Sequence, residues 1–194
     1  MNTLYPIYLK LLKKHCLVIG GGTIAFRKVE ALLASEADVT VISPDLCPSL
    51  RELVDQGICK YISRKYRRGD LNGSFLVIAA TNDPDANRQI WEEANDLNLL
   101  VNIVDVPDVC NFYVPSVVRN GDLAIAISTN GKAPYLAKRI RQRLEQDQFS
   151  HKISEKIFSI DKKRNELKSS YPNDIQKREA EIKKFINNLM EEWD

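Results

Sequence analysis

Residues 16–25 read Cys-Leu-Val-Ile-Gly-Gly-Gly-Thr-Ile-Ala, and no other stretch constrains the fold of this chain as tightly. Four apolar residues suit a short buried strand. The three glycines suit a tight turn, and the residues after them suit the first turn of a helix. Gly20, Gly22 and Ala25 form a G-x-G-x-x-A pattern with a specific physical logic. Gly20 permits a sharp exit from the strand, Gly22 leaves the backbone open to a close-lying group, and Ala25 lets the helix approach the sheet. A helix that starts on such a turn points N–H groups and the positive end of its dipole at an anion. The anion that fits is a pyrophosphate, and Gly20 and Gly22 are the candidate contacts of a dinucleotide. Glycine turns that bind nothing are common. Here a strand precedes the turn, a helix follows over Phe26–Ala34, and a second strand lies at Val39–Ser43.

That alternation continues. The first helix places Ala25, Val29, Leu32 and Leu33 on one face, with Arg27, Lys28 and Glu30 left to water. A short helix over Leu50–Gln56 ends at Gly57, and Ile58–Ser63 reads as a third strand. Phe75–Ala79 and Leu100–Val104 read as the fourth and fifth strands. Between them runs a helix capped by Asp83 or Asp85 and carrying Ala86, Ile90, Trp91 and Ala94. Strands alternating with helices imply an α/β fold: a parallel, Rossmann-like sheet with helices on both faces. Residues 4–12, where Ile7, Leu9 and Leu11 alternate with other residues, read as an extended lead-in.

The pattern changes near residue 113. Phe112–Val118 and Leu123–Ser128 flank Asn120-Gly121, a strong hairpin signal. A helix then begins at Ala133-Pro134, and Leu136, Ile140 and Leu144 form its apolar stripe. Beyond about residue 148 two charged amphipathic helices are expected, broken at Ser169–Asn173. The expected division is a dinucleotide-binding domain over 1–113, a hairpin and helix over 114–148, and a helical region over 149–194.

Composition excludes some classes. The 194 residues carry a net charge of +2, which gives nucleic acid no support. There is no run of eighteen apolar residues, so no membrane span is expected, and residues 1–6 lack the form of a secretory signal. Cys16, Cys47, Cys59 and Cys110 show no C-x-x-C spacing, which suits a reducing cytoplasm rather than zinc or a redox pair. His15 and His151 stand apart from other ligand-type residues, so no metal site is expected.

Other residues fall where ligands bind such sheets, at the carboxyl ends of the strands. Asp45, after Ser43-Pro44, suits either an acid for the adenosine ribose or a helix cap. No arginine adjoins it to meet a 2′-phosphate, which favours NAD over NADP. Thr81 and Asn82 follow strand four, where a cofactor would pass, although Asn82 and Asp83 equally suit a cap. Asp105 ends strand five and suits either a proton acceptor or a structural cap. Basic residues gather around strand three (Lys60, Arg64, Lys65, Arg67, Arg68) and around the helix after the hairpin (Lys132, Lys138, Arg139, Arg141, Arg143). Such groups suit a solvated face, a ligand bearing many carboxylates, or nucleic acid.

Taken in order, several segments resemble the precorrin-2 dehydrogenase family of sirohaem synthesis, over about residues 4–148. They are Gly20–Lys28, Phe75–Asp83, Val101–Asp105, Phe112–Ser116 and Ala126–Pro134. The resemblance implies NAD-dependent oxidation of precorrin-2, an octacarboxylate, to sirohydrochlorin, with Fe²⁺ insertion as a further activity of some members. It implies Asp105 as the catalytic aspartate and Thr23, Ile24, Pro44 and Asp45 as NAD contacts. It also implies a homodimer formed through about 114–148. The polycarboxylate substrate gives the basic groups a purpose. A non-catalytic NAD-sensing module is the competing reading, and it leaves Asp105 and the basic groups without a task.

Overall fold

The apolar run after His15 becomes β1 (His15–Ile19), with every residue from Cys16 to Ile19 buried. It pairs in parallel with β2 (Asp38–Ser43) on one side and β4 (Leu76–Ala79) on the other. β3 (Lys60–Ser63) and β5 (Leu100–Ile103) extend the sheet outward, giving the order β3-β2-β1-β4-β5. This is a Rossmann-like sheet, and its order reverses between β1 and β4, the place where such folds open a crevice for ligand. Burial on both faces explains why β1 and β4 are unbroken apolar runs.

Helices cover the two faces. α1 (Thr23–Leu33) and α2 (Pro48–Asp55) lie on one face, where Ala25, Val29, Leu32 and Leu50 meet Cys16, Val18, Val39, Val41 and Ile78. α3 (Pro84–Asp96) covers the other, where Ile90 and Ala94 meet Leu17, Ile19, Val77 and Ile103. Each fully buried aliphatic side chain stabilises the fold by about 1.5–3 kcal/mol relative to its exposed state. Pro48 and Pro84 start α2 and α3 in the first helical turn, where a missing N–H costs nothing.

This computed structural model describes residues 4–146 and 148–191, with backbone only at 148–152 and at 190–191. The chain divides into two compact units, Met1–Tyr113 and Val114–Asp194. The second unit holds a hairpin, β6 (Ser116–Asn120) and β7 (Leu123–Ile127), followed by α4 (Pro134–Gln146), α5 (Gln148–Ser170) and α6 (Ile175–Glu191). Asn120 pairs with Leu123, so the turn is Gly121-Asp122 and Asn120 itself belongs to the strand. Gly121 takes a positive φ of 54°, the conformation glycine favours. α4 and α5 pack on the hairpin and α6 packs on α5, burying Val118, Ala137 and Leu167. Pro172 and Asn173 fall in the turn between α5 and α6, as the sequence break suggests.

Residues 4–12 carry neither helix nor strand ahead of β1, which is compatible with a lead-in, and Ile7 and Leu9 stay exposed. Only Leu11 reaches the core. The α4 stripe is only partly covered: Leu136 is 53% and Ile140 39% exposed, Leu144 is half-buried, and Ala137 is the residue that α4 buries.

Candidate functional site

The glycine turn is built by close packing. Gly20 has a φ of +119°, and a Cβ there would lie 2.2 Å from the Ala80 carbonyl oxygen. Gly20 N–H donates to the Ile42 carbonyl (2.9 Å), which ties the turn to β2. Gly21, the variable position of the motif, is just as constrained. A Cβ there would lie 1.9 Å from the Asp45 carbonyl oxygen, and Cys47 N–H donates to Gly21 O (2.7 Å). Gly22 differs. Its φ of −82° and ψ of −176° suit any residue, and a Cβ there would meet nothing within 4 Å. The bare position therefore faces open space at the start of α1. That helix has no side-chain cap and no acidic residue in its first turn. An uncapped helix start beside a side-chain-free residue fits a pyrophosphate.

A groove of about 530 Å³ opens at the carboxyl edge of the sheet on the α3 side. Gly20, Pro44, Thr81 and Asn82 line it, as do Ser43, Lys65, Tyr66, Asp83, Asp85 and Gln89. Gly22, Thr23, Ile24, Asp45 and Asp105 lie outside its lining. Thr23 and Ile24 occupy the exposed first turn of α1. Asp45 is exposed, and its backbone carbonyl turns toward Gly21. Asp83, not Asn82, caps α3: its Oδ1 accepts from Asp85 N and Ala86 N, both at 3.1 Å. Thr81 Oγ1 accepts from Asp83 N (3.1 Å), and Asn87 Nδ2 donates to Thr81 O (3.1 Å), so this rim of the groove is fixed. Asn82 is left exposed in the groove.

Glu93, in α3, secures the opposite rim. It is 4% exposed and accepts from Gly69 N (2.9 Å), Leu71 N (3.1 Å) and the Tyr66 hydroxyl. Burial and the Glu93 carboxylate push the Tyr66 phenol well above its ordinary range, so it stays a donor. Arg64 forms a bidentate pair with Asp70, at 2.7 Å for both bonds. The guanidinium holds the Asp70 carboxyl below the usual carboxylate range.

Asp105 follows β5 with a φ of 63°, a left-handed conformation that Asp tolerates better than most residues. It is exposed, and its carboxylate accepts no hydrogen bond from a described residue. The turn carrying it is stiff. Ile103 N–H donates to Cys110 Sγ (3.2 Å), the thiol donates to Val106 O (3.3 Å), and Asn102 Nδ2 donates to Phe112 O (3.0 Å). Lys28, expected to face water, is half-buried. Burial pushes its ammonium below the ordinary value, and the charge of Asp105 pulls it part of the way back. Periodicity places Lys28 one residue before the buried Val29, but only the tertiary fold brings it into the field of Asp105.

The basic group around β3 is largely spent within the fold. Lys60 pairs with Asp38, Arg64 with Asp70 and Arg68 with Asp96. His15 Nε2 sits 3.0 Å from Thr40 Oγ1, and the side chain of His151 lies outside the described residues. Among the described residues no cluster of His, Cys, Asp and Glu could hold a metal ion, and no helix is long and apolar enough to cross a membrane.

Comparison with known proteins places this geometry. Residues 7–116 match the family described as NAD(P)-binding, and residues 120–147 match the central region of a sirohaem biosynthesis protein. The siroheme synthase of Methylobacillus flagellatus is 45% identical over 145 residues, which is 75% of this chain and 31% of that protein. The siroheme synthase of Vesicomyosocius okutanii is 36% identical over 213 aligned positions, covering 98% of this chain and 46% of that protein. The chain therefore spans less than half the length of these curated relatives. The solved structure of SirC, precorrin-2 dehydrogenase, superposes with a TM-score of 0.71 at 27% identity, covering 97% of this chain and 100% of that one.

Proposed function

The chain belongs to the NAD(P)-binding family through residues 7–116, and from that premise we propose that it oxidises precorrin-2 to sirohydrochlorin in sirohaem synthesis. The observation that carries this reading is Asp105: an exposed carboxylate, free of hydrogen bonds from described residues, on a braced turn at the sheet edge that also bears the glycine turn. A carboxylate spent on structure would have donors around it. This one is available to take a proton from a substrate carbon.

NAD, when bound, supplies the hydride acceptor. The residues that would hold it are Gly20, Gly22, Thr23 and Ile24 at the pyrophosphate, Pro44 and Asp45 toward the adenosine ribose, and Thr81 and Asn82 along the crevice. The bare Gly22 and the uncapped start of α1 fit that group. Asp105 receives the proton at its carboxylate. The half-buried Lys28 lies within the electrostatic reach of that carboxylate. The exposed Lys132, Lys138 and Arg139 are cations of the kind that a substrate bearing eight carboxylates requires.

We propose further that residues 114–148 form a homodimer contact, supported by the uncovered Leu136 and Ile140 on α4. The four cysteines are free, as suits a cytoplasmic setting.

The test is NADH formation from freshly generated precorrin-2 and NAD⁺. The wild-type chain is expected to release NADH and sirohydrochlorin. Asp105→Asn is expected to lose most turnover while keeping its NAD affinity. Near-wild-type turnover in that variant refutes the role of Asp105, and no NADH from intact substrate and folded protein refutes the dehydrogenase reading. Added Fe²⁺, as substrate, tests metal insertion in the same assay.

A further inference from the structure

β5 is the outer strand of the sheet, and its far edge pairs with no strand among the described residues. The chain closes that edge with side chains. After Asp105 a single 3₁₀ turn over Pro107–Val109 brings residues 110–112 back alongside β5. Asn111 N–H donates to Val101 O (3.2 Å). The Asn111 amide accepts from Val101 N–H (2.8 Å) and donates to Leu99 O (2.7 Å). Cys110 Sγ accepts from Ile103 N–H (3.2 Å). Asn111 therefore serves the start of the edge and Cys110 its end. The thiol stands where a partner strand would have supplied a backbone carbonyl.

The end served by Cys110 is the turn that carries Asp105. Val106 N–H donates to Ile103 O (3.2 Å), which closes a turn with Val104 and Asp105 at its centre. Asp105 takes its left-handed φ of 63° inside that turn. Turns that need a positive φ favour glycine or asparagine there, and a strained residue persists only where its surroundings hold it. Here the thiol spans the turn. Its proton faces the carbonyls of both end residues, Ile103 (3.2 Å) and Val106 (3.3 Å). Burial pushes the thiol above its ordinary value, so it keeps that proton at neutral pH. Cys110 itself lies in extended backbone, with φ −94° and ψ 134°.

The Asp105 carboxylate accepts no hydrogen bond from a described residue. Donors on its oxygens would make it a weaker base, so a free carboxylate has to be aimed by its backbone. We infer that Cys110 is a positioning residue for the proposed oxidation: its thiol clamps the Ile103–Val106 turn and so fixes the backbone from which the Asp105 carboxylate projects. This rests on the reading of Asp105 as the proton acceptor. Both hydrogen-bonding roles are needed, because the sulfur accepts from one end of the turn and its proton reaches the other. Serine keeps both roles on a shorter bond, and an aliphatic side chain keeps neither.

The experiment is steady-state release of NADH from freshly generated precorrin-2 and NAD⁺ by the full chain, with unfolding temperature and NAD⁺ affinity measured on each variant. Cys110→Val fills the space of the thiol, suits extended backbone and removes both hydrogen-bonding roles. It is expected to lower kcat about 10- to 100-fold, the cost of a misplaced reacting group, with KM for precorrin-2 and NAD⁺ affinity within about twofold of wild type. Cys110→Ser is expected to recover most of that loss. Added to Asp105→Asn, Cys110→Val is expected to cost no further residual turnover, because the thiol acts through that carboxylate. A general loss of stability would instead lower the unfolding temperature and leave kcat per folded molecule unchanged. Wild-type kcat in folded Cys110→Val overturns the inference, as does an undiminished effect in the Asp105→Asn background or a serine variant no faster than the valine one. Should valine prevent folding, Cys110→Ala makes the same comparisons. Near-wild-type turnover in Asp105→Asn alone overturns the reading of Asp105, whereas a slow Asp105→Asn beside a fast Cys110→Val overturns only the role of Cys110.

Discussion

Gly20, Gly21 and Gly22 are adjacent, yet substitution by alanine should separate them into two kinds of defect. Gly21→Ala places a methyl 1.9 Å from the Asp45 carbonyl oxygen, so the backbone beyond β2 must shift and the 2.7 Å bond from Cys47 N–H to Gly21 O is lost or stretched. Overpacking costs about 1–3 kcal/mol and a lost backbone bond about 1 kcal/mol, or roughly 2–4 kcal/mol together. For a unit of this size that lowers Tm by about 10 °C or more. Gly22→Ala meets no atom within 4 Å and keeps an allowed φ of −82°. Its weaker capping and its reduced unfolded-state entropy are each below about 1 kcal/mol and opposite in sign, so Tm stays within roughly 3 °C of wild type. The added methyl nevertheless stands where the pyrophosphate must approach the backbone. Loss of one charge-assisted hydrogen bond, about 1.5–3 kcal/mol, weakens NAD⁺ binding roughly 10- to 100-fold. The assay pairs thermal unfolding without ligand with NAD⁺ titration of each variant. Wild-type NAD⁺ affinity in a stable Gly22→Ala protein refutes the placement of the pyrophosphate. An unchanged Tm in Gly21→Ala refutes the tight contact beneath the turn.

Glu93→Gln should destabilise the first unit by about 2–4 kcal/mol, because Gly69 N, Leu71 N and the Tyr66 hydroxyl lose a charged acceptor in a buried setting. Urea midpoints measure it, and a shift below about 0.5 kcal/mol would show that the β3–β4 connection does not depend on this carboxylate. Asp70 has a folded pKa below its unfolded value, so its stabilisation is present above about pH 4 and is lost as pH falls through the folded value. The stability lost between pH 7 and pH 3 should therefore be smaller in Asp70→Asn than in wild type, and equal losses would contradict the Arg64 pairing. Leu136→Glu with Ile140→Glu should convert a dimer to monomers in sedimentation without altering NAD⁺ affinity. A wild-type chain that sediments as a monomer at micromolar concentration speaks against α4 as the contact.

What could be read from the sequence was local. The β1–glycine turn–α1 unit depends on neighbours within ten residues, and the periodicities of α1, α3 and the apolar β4 depend on burial of one or both faces of their own element. That information sufficed for the parallel sheet, the hairpin and the terminal helices, and with the motif order it pointed to the family. The fold decided the rest by joining residues distant in the chain. Gly21 is indispensable because Asp45, twenty-four positions on, presses on it. Glu93 is buried because the segment from Tyr66 to Leu71 needs an acceptor. Lys28 is made less basic by the burial the fold imposes, and the charge of Asp105, just beyond β5, pulls it part of the way back. Lys65 looked like one more solvated charge beside Arg64 and Arg67. Parallel pairing of β3 with β2, and the pull of Tyr66 toward α3, carry it to the rim of the groove. Spacing along a chain records which element a residue belongs to. The charges and carbonyls a side chain will meet are set by strand order and register, which no single segment contains.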